Sequence, residues 1–256
     1  LLGLDAGSLE IVGPALTVGL MIAACHAALG IEVLRRGIIF IDLAVAQIAG
    51  LGIVAVSLIA EAPPWWGVQS AALACAIAAA CFFHWVERRL PDEQEAIIGS
   101  CYVLSASVAL FLLADHPHGG NEIRHLLSGQ VLFVTWKDVL THAPIYALVI
   151  VAWLSSNVAR RGIWFFFLFA LAITSSVQLV GVFVVFASLI LPALAVTTQT
   201  RDKLASAWAV AAVAVVVGIL VSAFADLPTG PALVLTFAAA AVVYRRLRAF
   251  RLALKA

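Results

Sequence analysis

Apolar runs of about 17 to 25 residues recur from one end of this chain to the other, the length a helix needs to cross ~30 Å of hydrocarbon. Polar and basic punctuation predicts spans over about 15–34, 38–60, 67–86, 97–114, 139–158, 204–224 and 230–245. One stretch does not fit this scheme. From Ile163 to Val196 there is no charged residue, which is too long for one crossing and short for two. Arg160 and Arg161 precede it and Arg201 and Lys203 follow it, so both its ends belong on the same side of the membrane. The run over 163–196 is therefore expected to cross twice, as two short helices broken at the polar patch Thr174, Ser175, Ser176, Gln178 and Gly181. Such breaks need protein or water around the freed backbone. The expected fold is all-α: one polytopic transmembrane domain over 1–256, with nine crossings, or eight.

Composition agrees, since 64% of residues are hydrophobic and 11% charged, and the mean hydropathy is +1.11; soluble domains carry about 25% charge. Basic residues mark cytoplasmic loops. With the N-terminus outside and the C-terminus inside, every basic residue except Arg124 and Lys137 becomes cytoplasmic. The external face then carries Asp5, Glu10, Glu61, Asp115, Glu122, Asp138 and Asp226, a bias that favours approaching cations as readily as it describes solvated loops. The first run has no basic residues before it and is followed by Arg35 and Arg36, so it is expected to be a span and not a cleavable leader. Cys25, Cys75, Cys81 and Cys101 all lie in apolar runs, where a disulfide framework is not expected.

Within the spans a few polar residues stand out. Asp42 follows Arg36 by six residues, ~9 Å of helix, and an acid within a span is functional by default, although near the interface it could simply pair with Arg35. Gln47 lies ~16 Å beyond Arg36, and His26 on the preceding span lies ~14 Å before Arg35, so the two are level near the bilayer centre. His26 is either a metal ligand or a hydrogen-bonding residue at a helix interface. His116, His118 and His125 fall in the loop DHPHGGNEIRHL, where imidazoles suit zinc but a solvated or partner-facing loop is the plainer reading. His142 reads as a helix-start residue. No GxxxxGK[ST] phosphate loop occurs, so the chain does not hold ATP in that manner.

The stretch HAALGIEVLRRGIIFIDLAVAQIAGLG resembles the first two spans of the ABC permeases that import zinc, manganese or iron(II). QEAIIGSCYVLSASVALFLL, HLLSGQVLFVTWKDVL, SSVQLVGVFVVFASLILPALA and ADLPTGPALVL agree in order, so the resemblance runs from about residue 15 to 247. It implies a permease subunit that is not itself an enzyme. The subunit works as a homodimer in the bacterial inner membrane, surrounded by lipid, with a separate ABC ATPase and an extracytoplasmic metal-binding protein. No nucleic acid and no bound cofactor are implied; the divalent metal is cargo, with zinc ahead of manganese because His26 and Cys25 are soft donors. The ATPase-coupling segment would lie at about 192–204, in Thr197, Thr200, Arg201, Asp202 and Lys203, with Pro192 ending or kinking the helix before it and Thr200 capping the next. The family's aspartate and histidine on the second span align with Leu43 and Gln47, and Asp42 is one residue, ~100°, out of that register. Asp226 matches the family's acidic position at the outer end. The metal candidates are thus His26, Gln47, Asp42 and Asp226. A permease for another cargo such as a metal chelate, and a channel or carrier that works without an ATPase, are the alternatives.

Overall fold

A computed structural model of the chain describes residues 6–60, 63–113, 131–155, 161–199 and 201–253. Among them are nine α-helices: α1 (Ala6–Arg36), α2 (Ile41–Ile59), α3 (Trp65–Arg89), α4 (Gln94–Leu113), α5 (Trp136–Ser155), α6 (Gly162–Val180), α7 (Val182–Ala195), α8 (Lys203–Ala225) and α9 (Thr229–Ala253). No strand occurs among the described residues. Seven of the helices are long and apolar enough to cross a membrane. The exceptions are α7, with 14 residues, and α9, whose last turns carry Arg245, Arg246, Arg248 and Arg251.

The run over 163–196 does reverse, though not across the whole polar patch. Thr174, Ser175, Ser176 and Gln178 stay inside α6, because Ser176 Oγ donates to the Ala172 carbonyl one turn back (2.8 Å) and the helical ladder continues beneath it. Only Gly181 breaks the helix, with φ +77° and ψ 163°, a conformation costly to any residue with a Cβ. The direction after Gly181 follows from one side chain. His26 hydrogen-bonds with both Ser176 and Ser188, which a continuous helix would separate by ~18 Å. Both can reach one imidazole only if α7 turns back toward the end of the bundle at which α6 begins.

The two ends of this hairpin meet the same end of α1. Arg36 lies 4.2 Å over the Phe165 ring near the start of α6, and Arg35 lines a hollow with Ala193 in the last turn of α7 and Val196, Thr197 and Lys203 after it. The charge parity read from the sequence is therefore reproduced in the packing. Arg36 also ties three helices together: its Nε donates to Glu32 on α1 at 2.8 Å, and its Nη1 donates to Glu87 on α3. Between α1 and α2 the chain turns at Gly37, and α2 starts without a side-chain cap of its own. Glu95 at the head of α4 supplies the acceptor, taking the Phe40 N–H at 3.1 Å.

At the centre, α1 packs on α7 and α8, α3 packs on α2 and α6, and α9 covers α7 and α8. Lipid is as apolar as these side chains, so close packing and interhelical hydrogen bonds hold the helices together. Gly30 illustrates the first. A Cβ there would sit 2.0 Å from the Leu189 carbonyl oxygen, so α1 and α7 touch backbone to backbone. For the second, Trp208 Nε1 on α8 donates to the Ala24 carbonyl of α1 at 2.8 Å.

Candidate functional site

A hydrogen-bonded seam of imidazoles and hydroxyls runs through the middle of the bundle. His26, about 15 Å up α1 from Arg36, is fully buried. Its Nδ1 is 2.7 Å from Ser188 Oγ on α7 and its Nε2 is 3.0 Å from Ser176 Oγ on α6. Ser176 is also 2.8 Å from the Tyr146 hydroxyl of α5. The neighbouring Ser175 is 2.7 Å from His142 Nδ1, also on α5. Four helices thus meet through neutral groups that can each donate or accept. A metal could take His26 only by displacing one of the two serines, because both ring nitrogens are engaged.

Beyond His142 the seam reaches a recess of about 190 Å³ at the end of the bundle away from the arginines. Its rim includes the exposed Trp65, Ser70 and Thr141, and its floor holds the buried His142, Thr174 and Ser175. Among the described residues Thr174 Oγ1 has no hydrogen-bond partner, although the residue is only 5% exposed. Nearby, Gln69 Nε2 donates to Gln178 Oε1, while Gln178 Nε2 is buried without a partner among the described residues.

The residues singled out in the sequence are not gathered at one point. His26 directs its ring to α6 and α7, whereas the half-buried Gln47 lies on α2, which packs chiefly on α3 and α4. Asp42 is fully buried in the first turn of α2, and among the described residues its carboxyl group meets no side-chain partner. Its expected pairing with Arg35 does not form. The turn at Gly37 separates the two helices, and Arg35 pairs with Glu32 one turn back instead. Asp226 is the exposed left-handed residue ending α8, at φ 52°, with its own N–H on the Ser222 carbonyl.

The segment expected to couple to an ATPase lies at the arginine end. Helix α7 continues three residues past Pro192 and ends at Ala195, so the proline does not terminate it. Val196–Thr198 form a turn, and Thr197 Oγ1 donates to the Leu194 carbonyl at 3.0 Å. Gln199 Nε2 donates to the Tyr244 hydroxyl at 2.5 Å and Arg248 Nη1 to Thr198 Oγ1 at 3.4 Å, so α9 braces the segment. Asp202, at φ 54°, occupies the cap position of α8, and Arg201 is exposed before it while Lys203 begins the helix. Thr200, like His116, His118 and His125, lies outside the described residues.

Sequence reasoning missed His142 and Tyr146 as members of the seam. Their signal was present: the buried positions of α5 are Val139, His142, Tyr146, Val149 and Trp153, spaced by three and four, so two polar residues sit on its packed stripe.

This architecture, apolar helices around a polar seam with a reversed pair at its centre, is that of a multi-pass membrane domain. The sequence profile of the ABC 3 transport family matches residues 8–159 and 155–246, and the chain belongs to that family. The fold is similar to that of PsaBC from Streptococcus pneumoniae, solved in complex with Fab, with a TM-score of 0.71 and 18% identity over 92% of this chain and 91% of that one. It is also similar to a structure described as an inward-facing conformation of a metal-chelate type ABC transporter, with a TM-score of 0.66 and 17% identity over 92% of this chain and 84% of that one. No match was found among curated proteins.

Proposed function

We propose that the chain is the membrane-spanning subunit of an ABC importer that carries a divalent transition metal into the cytoplasm, zinc ahead of manganese or iron(II). The match to the ABC 3 transport family over most of the chain carries this reading. A separate ATPase supplies the energy, binding at Thr197–Lys203 through residues that include Thr200, and an extracytoplasmic metal-binding protein delivers the ion to a permease homodimer. The N-terminus is outside the inner membrane and the C-terminus inside. His26 stands on the path at mid-depth, with Gln47 and Asp42 as further ion-handling groups and Asp226 at the outer mouth. Engagement of His26 by two serines favours loose, transient coordination, which suits a conduit because a tightly held ion would not leave. Nitrogen and sulfur in the neighbouring Cys25 and His26 favour zinc over a harder ion.

The test is ATP-driven uptake of zinc, manganese and iron(II) into vesicles holding the permease, its ATPase and its binding protein. Metal-dependent stimulation of ATP hydrolysis and loss of uptake in His26→Ala with assembly intact are expected. Uptake without any ATPase would instead indicate a channel or carrier. Uptake of only a chelated metal would change the cargo. Single cysteines at Pro228 and Asp92 of a cysteine-free form should react with an impermeant thiol reagent from outside and inside, respectively; the reverse pattern would invert the topology.

A further inference from the structure

The last turns of α9 carry Arg245, Arg246, Arg248 and Arg251, the helix contains no acidic residue, and none of the four arginines forms an ion pair among the described residues. A helix C-terminus and the cytoplasmic end of a span both favour basic residues, which accounts for the arginines but not for their arrangement. Arg245 and Arg248, one turn apart, line a hollow of about 240 Å³ together with Ala249, Thr198 and Ala195, the last residue of α7. Arg246, ~100° round the helix from Arg245, does not line it. One bond joins the side chains of the hollow, from Arg248 Nη1 to Thr198 Oγ1 at 3.4 Å. The Arg245 guanidinium, the rest of the Arg248 fork and the Thr198 O–H remain unengaged among the described residues, and all of them are donors. A second hollow at this end holds Arg35 and Lys203, but there Glu32 already takes the Arg35 guanidinium.

Toward the membrane the same face of α9 is apolar. Leu235, Ala238 and Val242 lead to Arg245 and Ala249 at spacings of three and four, which is one stripe of the helix. Leu235 and Val242 are exposed. The stripe from Leu235 to Arg245 is ~15 Å long. An exposed apolar stripe that ends in unpaired donors has the two halves of a phospholipid site: a surface for an acyl chain and a cradle for a phosphodiester. Two guanidinium forks match phosphate oxygens, and the hollow has room for the group with some of its waters. We infer that this hollow binds the headgroup phosphate of an anionic phospholipid, with Arg245 and Arg248 as its main donors, the Thr198 hydroxyl as a third, and an acyl chain along Leu235, Ala238 and Val242. A zwitterionic headgroup would bring an ammonium into a hollow lined by two arginines and no carboxylate, so a headgroup of net negative charge is preferred. On the topology proposed above the leaflet is the cytoplasmic one. Through Thr198 the lipid touches the segment assigned to ATPase coupling, which Tyr244 braces from the same helix. The inference goes beyond the transport reading and does not depend on the cargo.

The test uses the purified full chain in detergent at physiological salt, titrated with phosphatidylglycerol, with bound lipid counted by native mass spectrometry. Saturable binding is expected, with phosphatidylcholine of the same acyl chains at least about tenfold weaker. Arg245→Gln should weaken phosphatidylglycerol binding about tenfold. It should leave the thermal unfolding temperature in lipid-free detergent unchanged, because Arg245 has no hydrogen bond or ion pair to lose among the described residues. Arg245→Lys, which keeps the charge without the fork, should recover part of the loss. Arg246→Gln removes the same charge outside the hollow and should change binding by less than about twofold, since salt screens charge that is not in contact. Equal weakening in Arg245→Gln and Arg246→Gln would reduce the effect to diffuse charge and overturn the site, as would unchanged binding in Arg245→Gln. Displacement of the lipid by millimolar inorganic phosphate would overturn it too, because the hollow would then be a site for a free anion. Co-purification of the ATPase is measured on the same variants. If Arg245→Gln loses the ATPase but keeps phosphatidylglycerol, the occupant is an acidic segment of the ATPase and the lipid assignment falls. None of these measurements reads metal transport, so a failure of the permease reading and a failure of the lipid site are told apart.

Discussion

Gly30→Ala tests whether the contact between α1 and α7 holds the seam in register. The added Cβ would lie 2.0 Å from the Leu189 carbonyl oxygen, 2.9 Å from its carbon and 3.2 Å from Ala193 Cβ. Carbon–oxygen contacts of this kind settle near ~3.3–3.6 Å, so the helices must part by more than about 1 Å. The obstacle is backbone, and no rotamer change can relieve it. Two further terms decide the sign. Alanine gains about 1 kcal/mol of helix propensity over glycine. Against this stand about 1–3 kcal/mol of overpacking and about 1 kcal/mol for a lost buried hydrogen bond. That bond is the one from His26, a single turn from Gly30, to Ser188, next to Leu189; at 2.7 Å now, it would open past hydrogen-bonding range. The net expectation is destabilisation by about 1–3 kcal/mol. Thermal unfolding in detergent, followed by tryptophan fluorescence, reads it. Gly99→Ala is the control, because a Cβ there meets nothing within 4 Å, and it should be neutral or slightly stabilising. A Gly30→Ala protein that unfolds at or above the wild-type temperature would refute the close-approach argument.

Arg36→Ala should reduce the folded yield by the equivalent of about 2 kcal/mol, since it leaves Glu32 to Arg35 alone and removes the contacts to Glu87 and Phe165; a full yield of monodisperse protein on size exclusion would contradict this. Tyr244→Phe removes the acceptor of Gln199 at a cost of about 1 kcal/mol and should weaken co-purification of the ATPase without affecting insertion; undiminished co-purification would show that the brace is not needed. Asp42→Asn keeps the shape of a fully buried side chain that makes no ion pair among the described residues, so it should yield about as much folded protein as the wild type while metal uptake falls; a drop in yield matched by the drop in uptake would restore a structural role.

Those features that depend on length and charge were legible in the sequence. Apolar runs gave the helices, and the arginines on either side of residues 163–196 implied the reversal that His26 now shows, because the cost of placing guanidinium groups across a bilayer is large enough to dominate topology. What depends on which face a helix turns was not. Depth arithmetic placed His26 level with Gln47, but depth says nothing of azimuth, and His26 faces α6 and α7. The pairing of Asp42 with Arg35 assumed one continuous helix through residues 35–42; Gly37, at φ 73°, breaks it and leaves Arg35 to Glu32. Charge parity requires the run over 163–196 to reverse, but it does not require the whole polar patch on α6 to give way. Inside a bundle serines and threonines bond back to their own helix and outward to neighbours, and only the glycine yields.

The short helix α7 connects the two regions to which the proposed function assigns a part, the coupling segment and the His26 seam. Its upper part holds Ser188 against His26, and its lower end passes within two residues into Thr197 and the segment braced by Tyr244. Between them are about two turns of helix, stiff along its axis and buried on most sides, with Gly30 allowing α1 to lie directly against it. A displacement applied at Thr197 is therefore passed toward the His26 hydrogen bonds along a mostly buried helix in which only Pro192 lacks its N–H. Gly181 at the other end is the position where the backbone can absorb rotation. The same geometry explains why the imidazole is bonded to two helices at once. An ion that takes one of its nitrogens must release either α6 or α7, and a shift of α7 must in turn change which nitrogen is free.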